Sequence, residues 1–165
     1  MKLIITLLSM LLLPLTSYAE TLPSPQGKVL LTISGNIANS QKDGEAKFDR
    51  EQLAKLPSDT FILHTRWTNK AHTYDGPLLS AILDHVGSKG TTIRLTALND
   101  YSIVIQKAYI NKYQPILAML DDGKAMSIRD KGPLWLLLPQ DKYPELKTEE
   151  NTGKMIWQLS HIEIE

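Results

Sequence analysis

Three short stretches carry side chains suited to gripping a small molecule. In "HTRWTNK", Trp67 stands where a β-branched and aromatic run gives way to a polar loop. Its ring is either a platform for a planar ligand or a boundary tryptophan half packed on a core. In "LNDYS", Asn99, Asp100 and Tyr101 bring an amide, a carboxylate and a phenol to one corner. The same trio also suits an Asx-type turn with a tyrosine packed behind it. In "MSIRDKGPLWLLLP", Arg129, Asp130 and Lys131 are too charged to be buried together and precede a Gly132-Pro133 bend. They form either the rim of a binding site on a loop held by a rigid strand or a loop that pairs its own charges.

Other chemistries find less support. None of the four histidines, His64, His72, His85 and His161, has a second histidine three to five residues away, so no local metal motif exists and only the fold can gather them. The carboxylate pairs Asp121-Asp122 and Glu149-Glu150 read as turn and loop chemistry. Nucleophile-elbow, phosphate-loop and dinucleotide signatures are all missing. The chain has no cysteine, which excludes thiolate-held zinc, iron–sulfur clusters and a cysteine nucleophile. Lysine plus arginine equals aspartate plus glutamate at 18 each, and no basic block is present to neutralise a run of phosphates, so nucleic acid is not an expected partner.

Strands outnumber helices among the elements that must position these residues. "VLLTISGNI", "TFILHTRW", "TTIRLTALND" and "YSIVIQ" read as strands, the last two separated by the Asn99-Asp100 corner. "PILAMLDDGKAMSI" reads as a hairpin turning at Asp122-Gly123, and "PLWLLLP" and "MIWQLSHIEIE" as two further strands. The first of these is apolar enough to be buried on both faces, with Trp135 in the core. A short helix is expected after Asp49, which has Gln52 in capping-box spacing and Pro57 as its stop. A second runs through "GPLLSAILDHVG", with Pro77 in its first turn, a one-sided apolar stripe and Gly87 as its C-terminal cap. The expected class is α+β, mostly β.

Residues 1–19 read as a secretory signal peptide: Lys2, an apolar run from Leu3 to Leu15, Pro14, then Ser17 and Ala19 at the positions a signal peptidase recognises. The run is too short for a membrane span. Cleavage leaves residues 20–165, expected to be a single periplasmic domain long enough to bury about two-thirds of its unfolded surface.

In order, "TRWTNKAHTYDGPLLSAILDHVG", "TALNDYSIVI", "PILAMLDDGKAMSIRDKGPLWLLLP" and "MIWQLSHIEI" resemble the molybdopterin-binding domain of the sulfite oxidase family, from about Val29 to the C-terminus. The resemblance implies curved, barrel-like sheets, short connecting helices and a pterin cleft lined by loops. It breaks at one position: the family's molybdenum-ligating cysteine has no counterpart, and Leu63 and His64 stand in that region. His64 is a neutral donor and does not reproduce a thiolate ligand, so molybdenum is not expected. "MKLIITLL" also lacks a twin-arginine motif for exporting a preloaded cofactor.

A pterin presents amino and ring N–H groups that suit a carboxylate, and acceptors that suit cations or amides. Asp100 fits the first; Arg129, Lys131 and Asn99 fit the second; Trp67 or Tyr101 suits the ring face; His64 stands beside them. The chain further resembles the cysteine-free periplasmic pterin-binding proteins that regulate membrane-bound cyclic-di-GMP enzymes. That implies a binding protein rather than an enzyme, with a pterin as ligand and the periplasmic domain of a membrane signalling protein as partner. The alternatives are a molybdopterin-dependent oxidoreductase, or a subunit of one, that has replaced the cysteine, and an interaction domain that kept the fold and lost the ligand.

Overall fold

The computed structural model describes residues 21–165; the expected signal peptide lies outside them. Along the chain come β1 (Leu31–Gly35), β2 (Ala46–Phe48), α1 (Arg50–Ala54), β3 (Ser58–Leu63), β4 (His72–Pro77) and α2 (Leu79–His85). Then follow β5 (Thr92–Ala97), β6 (Ser102–Gln106), α3 (Lys107–Tyr113), β7 (Ile116–Ala118), β8 (Leu120–Asp121) and β9 (Lys124–Ala125). A 3₁₀ turn (Ile128–Asp130), β10 (Trp135–Leu137), a second 3₁₀ turn (Pro144–Leu146), α4 (Glu149–Gly153) and β11 (Leu159–Ile164) complete the order.

Local chemistry explains the helix ends. Asp49 caps α1 through a full capping box: its carboxylate accepts from the Gln52 amide at 2.9 Å, and its own amide donates to the Gln52 side chain at 3.1 Å. The other carboxylate oxygen accepts from the Gln26 and Gly27 amides, both at 2.8 Å, which straps the N-terminal segment to the helix. These donors, the Gln52 amide foremost, hold the Asp49 carboxyl below its usual range. Helix α2 ends at a left-handed Gly87, φ 60°, as its sequence requires. Pro77 does not open that helix: it is the last residue of β4, and the first helical turn begins two residues later.

Three sheets result among the described residues. One has the order β2-β1-β11-β5-β6, with β1 and β11 parallel; one has β3-β4-β8-β9; the third is the antiparallel ribbon β10-β7. The sheets stay open. The expected hairpin contracts to β8 and β9 around Asp122-Gly123, both at positive φ, which suits a tight two-residue turn. Ile116–Ala118 belongs instead to the ribbon, because its three residues are buried on both faces and a hairpin arm has only one face to bury.

That ribbon lies between two apolar clusters. Leu117 and Leu136 face the cluster of the five-stranded sheet, with Leu31, Ile93 and Ile162; Ile116, Ala118, Trp135 and Leu137 face a second cluster containing Tyr74 and Leu63. The period-two alternation of a strand thus serves both cores, as the apolar run "PLWLLLP" requires. Strand β4 crosses β7 so closely that a Cβ at Gly76 would stand 2.0 Å from the Leu117 carbonyl oxygen.

Candidate functional site

The turn between β3 and β4 is built by hydroxyl groups. The Thr65 amide donates to Thr68 Oγ1 at 3.1 Å, Thr68 Oγ1 donates to the Thr65 carbonyl at 3.2 Å, and the Trp67 amide donates to Thr65 Oγ1 at 3.3 Å. Thr65 is buried and Trp67 half-buried. Clamped this way, Trp67 meets Trp135 and Trp157 edge-on, at 5.7 and 5.2 Å between ring centres. The chain's three tryptophans therefore form one cluster, and Trp67 packs on the second core as a boundary tryptophan while also lining two cavities.

One cavity, of about 350 Å³, is chiefly apolar and lies between Trp67, Asn99, Tyr101, Met155, Ile156 and Trp157. The other, of about 410 Å³, is polar, with Trp67, His72, Tyr74, Asp121, Arg129 and Lys131 in its walls. Volumes of this size suit small organic ligands.

The expected site residues divide between these spaces. Trp67, Asn99 and Tyr101 line the first cavity; Arg129 and Lys131 line the second, again with Trp67. Asp100 and His64 line neither. Asp100 sits exposed at the corner with φ 64°, and Asn99 Oδ1 accepts from the Tyr101 amide at 3.3 Å, so the corner is an Asx turn as well as a cavity wall. His64 Nε2 lies 2.9 Å from the Thr68 carbonyl oxygen, spent on its own turn. Among the described residues no ion pair joins Asp130 to Arg129 or Lys131; Asp130 accepts from Ser127 Oγ at 2.7 Å. Lys131 Nζ lies 5.4 Å from the centre of the Trp135 ring, a cation–π distance.

The two loops are joined by Gln158. Its carbonyl accepts from the Leu98 amide at 2.9 Å, its amide donates to the Lys131 carbonyl at 2.9 Å, and its side chain donates to the Ile128 carbonyl at 2.8 Å. This residue, at φ 54°, lies just before β11, where the pairing with β5 shifts register. Trp157, the residue before Gln158, meets Trp67 edge-on.

Sequence reasoning missed Trp157 as a wall residue, along with the group His72, Tyr74 and Asp121. The signal for the last was available in "HTYDGP", where His72 and Tyr74 stand two apart as on one strand face, but the sequence reading there is only the helix of "GPLLSAILDHVG" and gives the residues before Gly76 no element. Tyr74 is fully buried and its hydroxyl has no hydrogen-bond partner among the described residues. Burial, and after it the charges of Asp121 and Asp122, push its phenol well above the usual range.

The molybdenum group implied by the family resemblance does not fit these residues. No cysteine is present, Leu63 is buried in the second core, and His64 turns its Nε2 to a backbone carbonyl rather than to either cavity.

No family profile matches the chain, and no curated protein matches it in sequence. Among solved structures, it is similar to the sulfane dehydrogenase SoxCD from Paracoccus pantotrophus, with 18% sequence identity and a TM-score of 0.59. The likeness covers 81% of this chain and 37% of that one, and concerns the fold alone. It agrees with the expected class: the fold is α+β and mostly β, and this dehydrogenase shares it.

Proposed function

We propose that this chain binds a pterin beside Trp67 and acts as a binding protein rather than as a redox enzyme. The observation that carries the reading is the meeting of the two cavities at one half-buried tryptophan, with aromatic walls and Asn99 on one side and Arg129 and Lys131 on the other. A flat bicycle stacked on an indole gains about 1–3 kcal/mol, by analogy with nucleic-acid bases on aromatic side chains. The Asn99 amide group and the Arg129 guanidinium, which has no ion-pair partner among the described residues, suit the acceptors on the ring edge. Asp100 leaves the proposed set, because it lines neither cavity.

The wider role rests on the sequence resemblance and on the leader-like residues 1–19: a periplasmic protein whose pterin occupancy alters its affinity for the periplasmic domain of a membrane-bound cyclic-di-GMP enzyme. Only a difference in receptor affinity between the loaded and empty forms can carry that signal.

Titration of the purified chain with oxidised and reduced pterins, followed by calorimetry and by tryptophan fluorescence, tests the ligand. Saturable binding with a change in indole emission is expected, and Trp67→Ala weakens it by about tenfold or more while circular dichroism stays unchanged. Absence of heat and of fluorescence change at high protein concentration rejects the reading.

A further inference from the structure

We infer that His72, Asp121 and Asp122 form a binding site for a divalent first-row transition cation such as Zn²⁺, on the wall of the polar cavity. The inference goes beyond the pterin reading and does not depend on it.

The fold assembles these residues from two segments about fifty positions apart. Strand β4 turns His72 and Tyr74 to one face, and β8 pairs with it so that Tyr74 stands opposite Asp121. The Asp122 amide donates to the Thr73 carbonyl at 2.8 Å, and Asp122 Oδ1 accepts from the Thr73 amide at 2.9 Å, which carries the pairing one residue further. His72 Nδ1 consequently lies 2.7 Å from Asp121 Oδ1 and 3.2 Å from Asp122 Oδ2. One ligand atom from each residue lies within 4.8 Å of the other two.

Tetrahedral zinc with bonds of about 2.0–2.2 Å separates its ligand atoms by roughly 3.3 Å. The His72–Asp121 spacing would open by about 0.6 Å and the His72–Asp122 spacing by about 0.1 Å, and all three side chains are partly exposed. One imidazole nitrogen and two carboxylate oxygens suit zinc and its neighbours, and three protein ligands leave a fourth position for water or an anion.

A second, independent feature points to the same place. Tyr74 is fully buried, its hydroxyl has no partner among the described residues, and the residue lines the same cavity as His72 and Asp121. Its ring stacks on that of His72, 6.0 Å between centres and 21° between planes. An unpaired buried hydroxyl costs about 1–3 kcal/mol. A water or anion in the open coordination position would give it an acceptor, the outer-shell arrangement usual for metal sites. Asp130 lines this cavity and the one on the cluster's other side. The opposing charges are Lys70 and Lys124, near Asp122, and Arg129 and Lys131 across the cavity. The two lysines near Asp122 have flexible four-carbon stems that can swing to solvent, whereas Asp122 is anchored through Thr73.

The test is calorimetric titration of the purified chain with Zn²⁺, without any pterin and with a competing chelator. One Zn²⁺ per chain is expected, with His72→Ala and Asp122→Asn each weakening binding by about tenfold or more, His64→Ala leaving it unchanged and Mg²⁺ binding far more weakly. Asn tolerates the left-handed turn position and still accepts from Thr73, so Asp122→Asn decides the matter if His72→Ala fails to fold. No saturable binding up to millimolar Zn²⁺, binding that survives Asp122→Asn, or equal loss in His64→Ala overturns the inference. Failure to bind pterin leaves it standing.

Discussion

A single residue joins the two loops of the candidate site, chiefly through its backbone. Gln158 bonds the Asn99 corner through its carbonyl and the Arg129–Lys131 loop through its amide and side chain. Its φ of 54° is the same strain for Gln and Ala, so Gln158→Ala removes only the side-chain bond to Ile128. Such a bond is worth about 1 kcal/mol net. The expected outcome is a stability loss of that size in urea unfolding and a pterin affinity lowered by about fivefold, read by calorimetry. A variant with unchanged affinity would show that the loops keep their geometry without this link.

Among the elements, the crossing of β4 over β7 is the least forgiving. Gly76 lets the strands approach to a distance that no side chain permits, since a Cβ there would stand 2.0 Å from the Leu117 oxygen. Gly76→Ala must push β4 off the ribbon, which moves Tyr74 and His72 with it. A loss of about 3 kcal/mol is expected from chemical unfolding, together with loss of Zn²⁺ binding in any fraction that remains folded. The dipeptide before Leu78 is therefore a packing feature of a strand. A Gly-Pro step ahead of an amphipathic run matches a helix start equally well in sequence, because the oxygen that Gly76 must clear comes from about forty residues away. Helices α3 and α4 escaped notice for a related reason: each is one or two turns long, too short for a helical period to stand out.

For the molecule as a whole, the ribbon β7-β10 couples the two apolar clusters. Leu136 faces the first, yet all three tryptophans sit at or against the second. Leu136→Ala is expected to cost about 3 kcal/mol, and to shift the unfolding midpoints seen by tryptophan fluorescence and by far-ultraviolet circular dichroism equally. Were the clusters independent, the fluorescence midpoint would stay in place and the other would move.

The sequence by itself determined what depends on neighbours along the chain: the mostly-β class, the cap at Asp49, the turn at Asp122-Gly123, the core position of Trp135 and the strand run around it. Alternation, capping and turn chemistry act over a few residues, so they are legible there. Tertiary structure alone decided that Trp67 meets Trp157, that Arg129 and Asn99 line different cavities, and that His72 faces Asp121. Each of these depends on strand register and on the bend at Gln158, where a shift of one residue would send every following side chain to the opposite face.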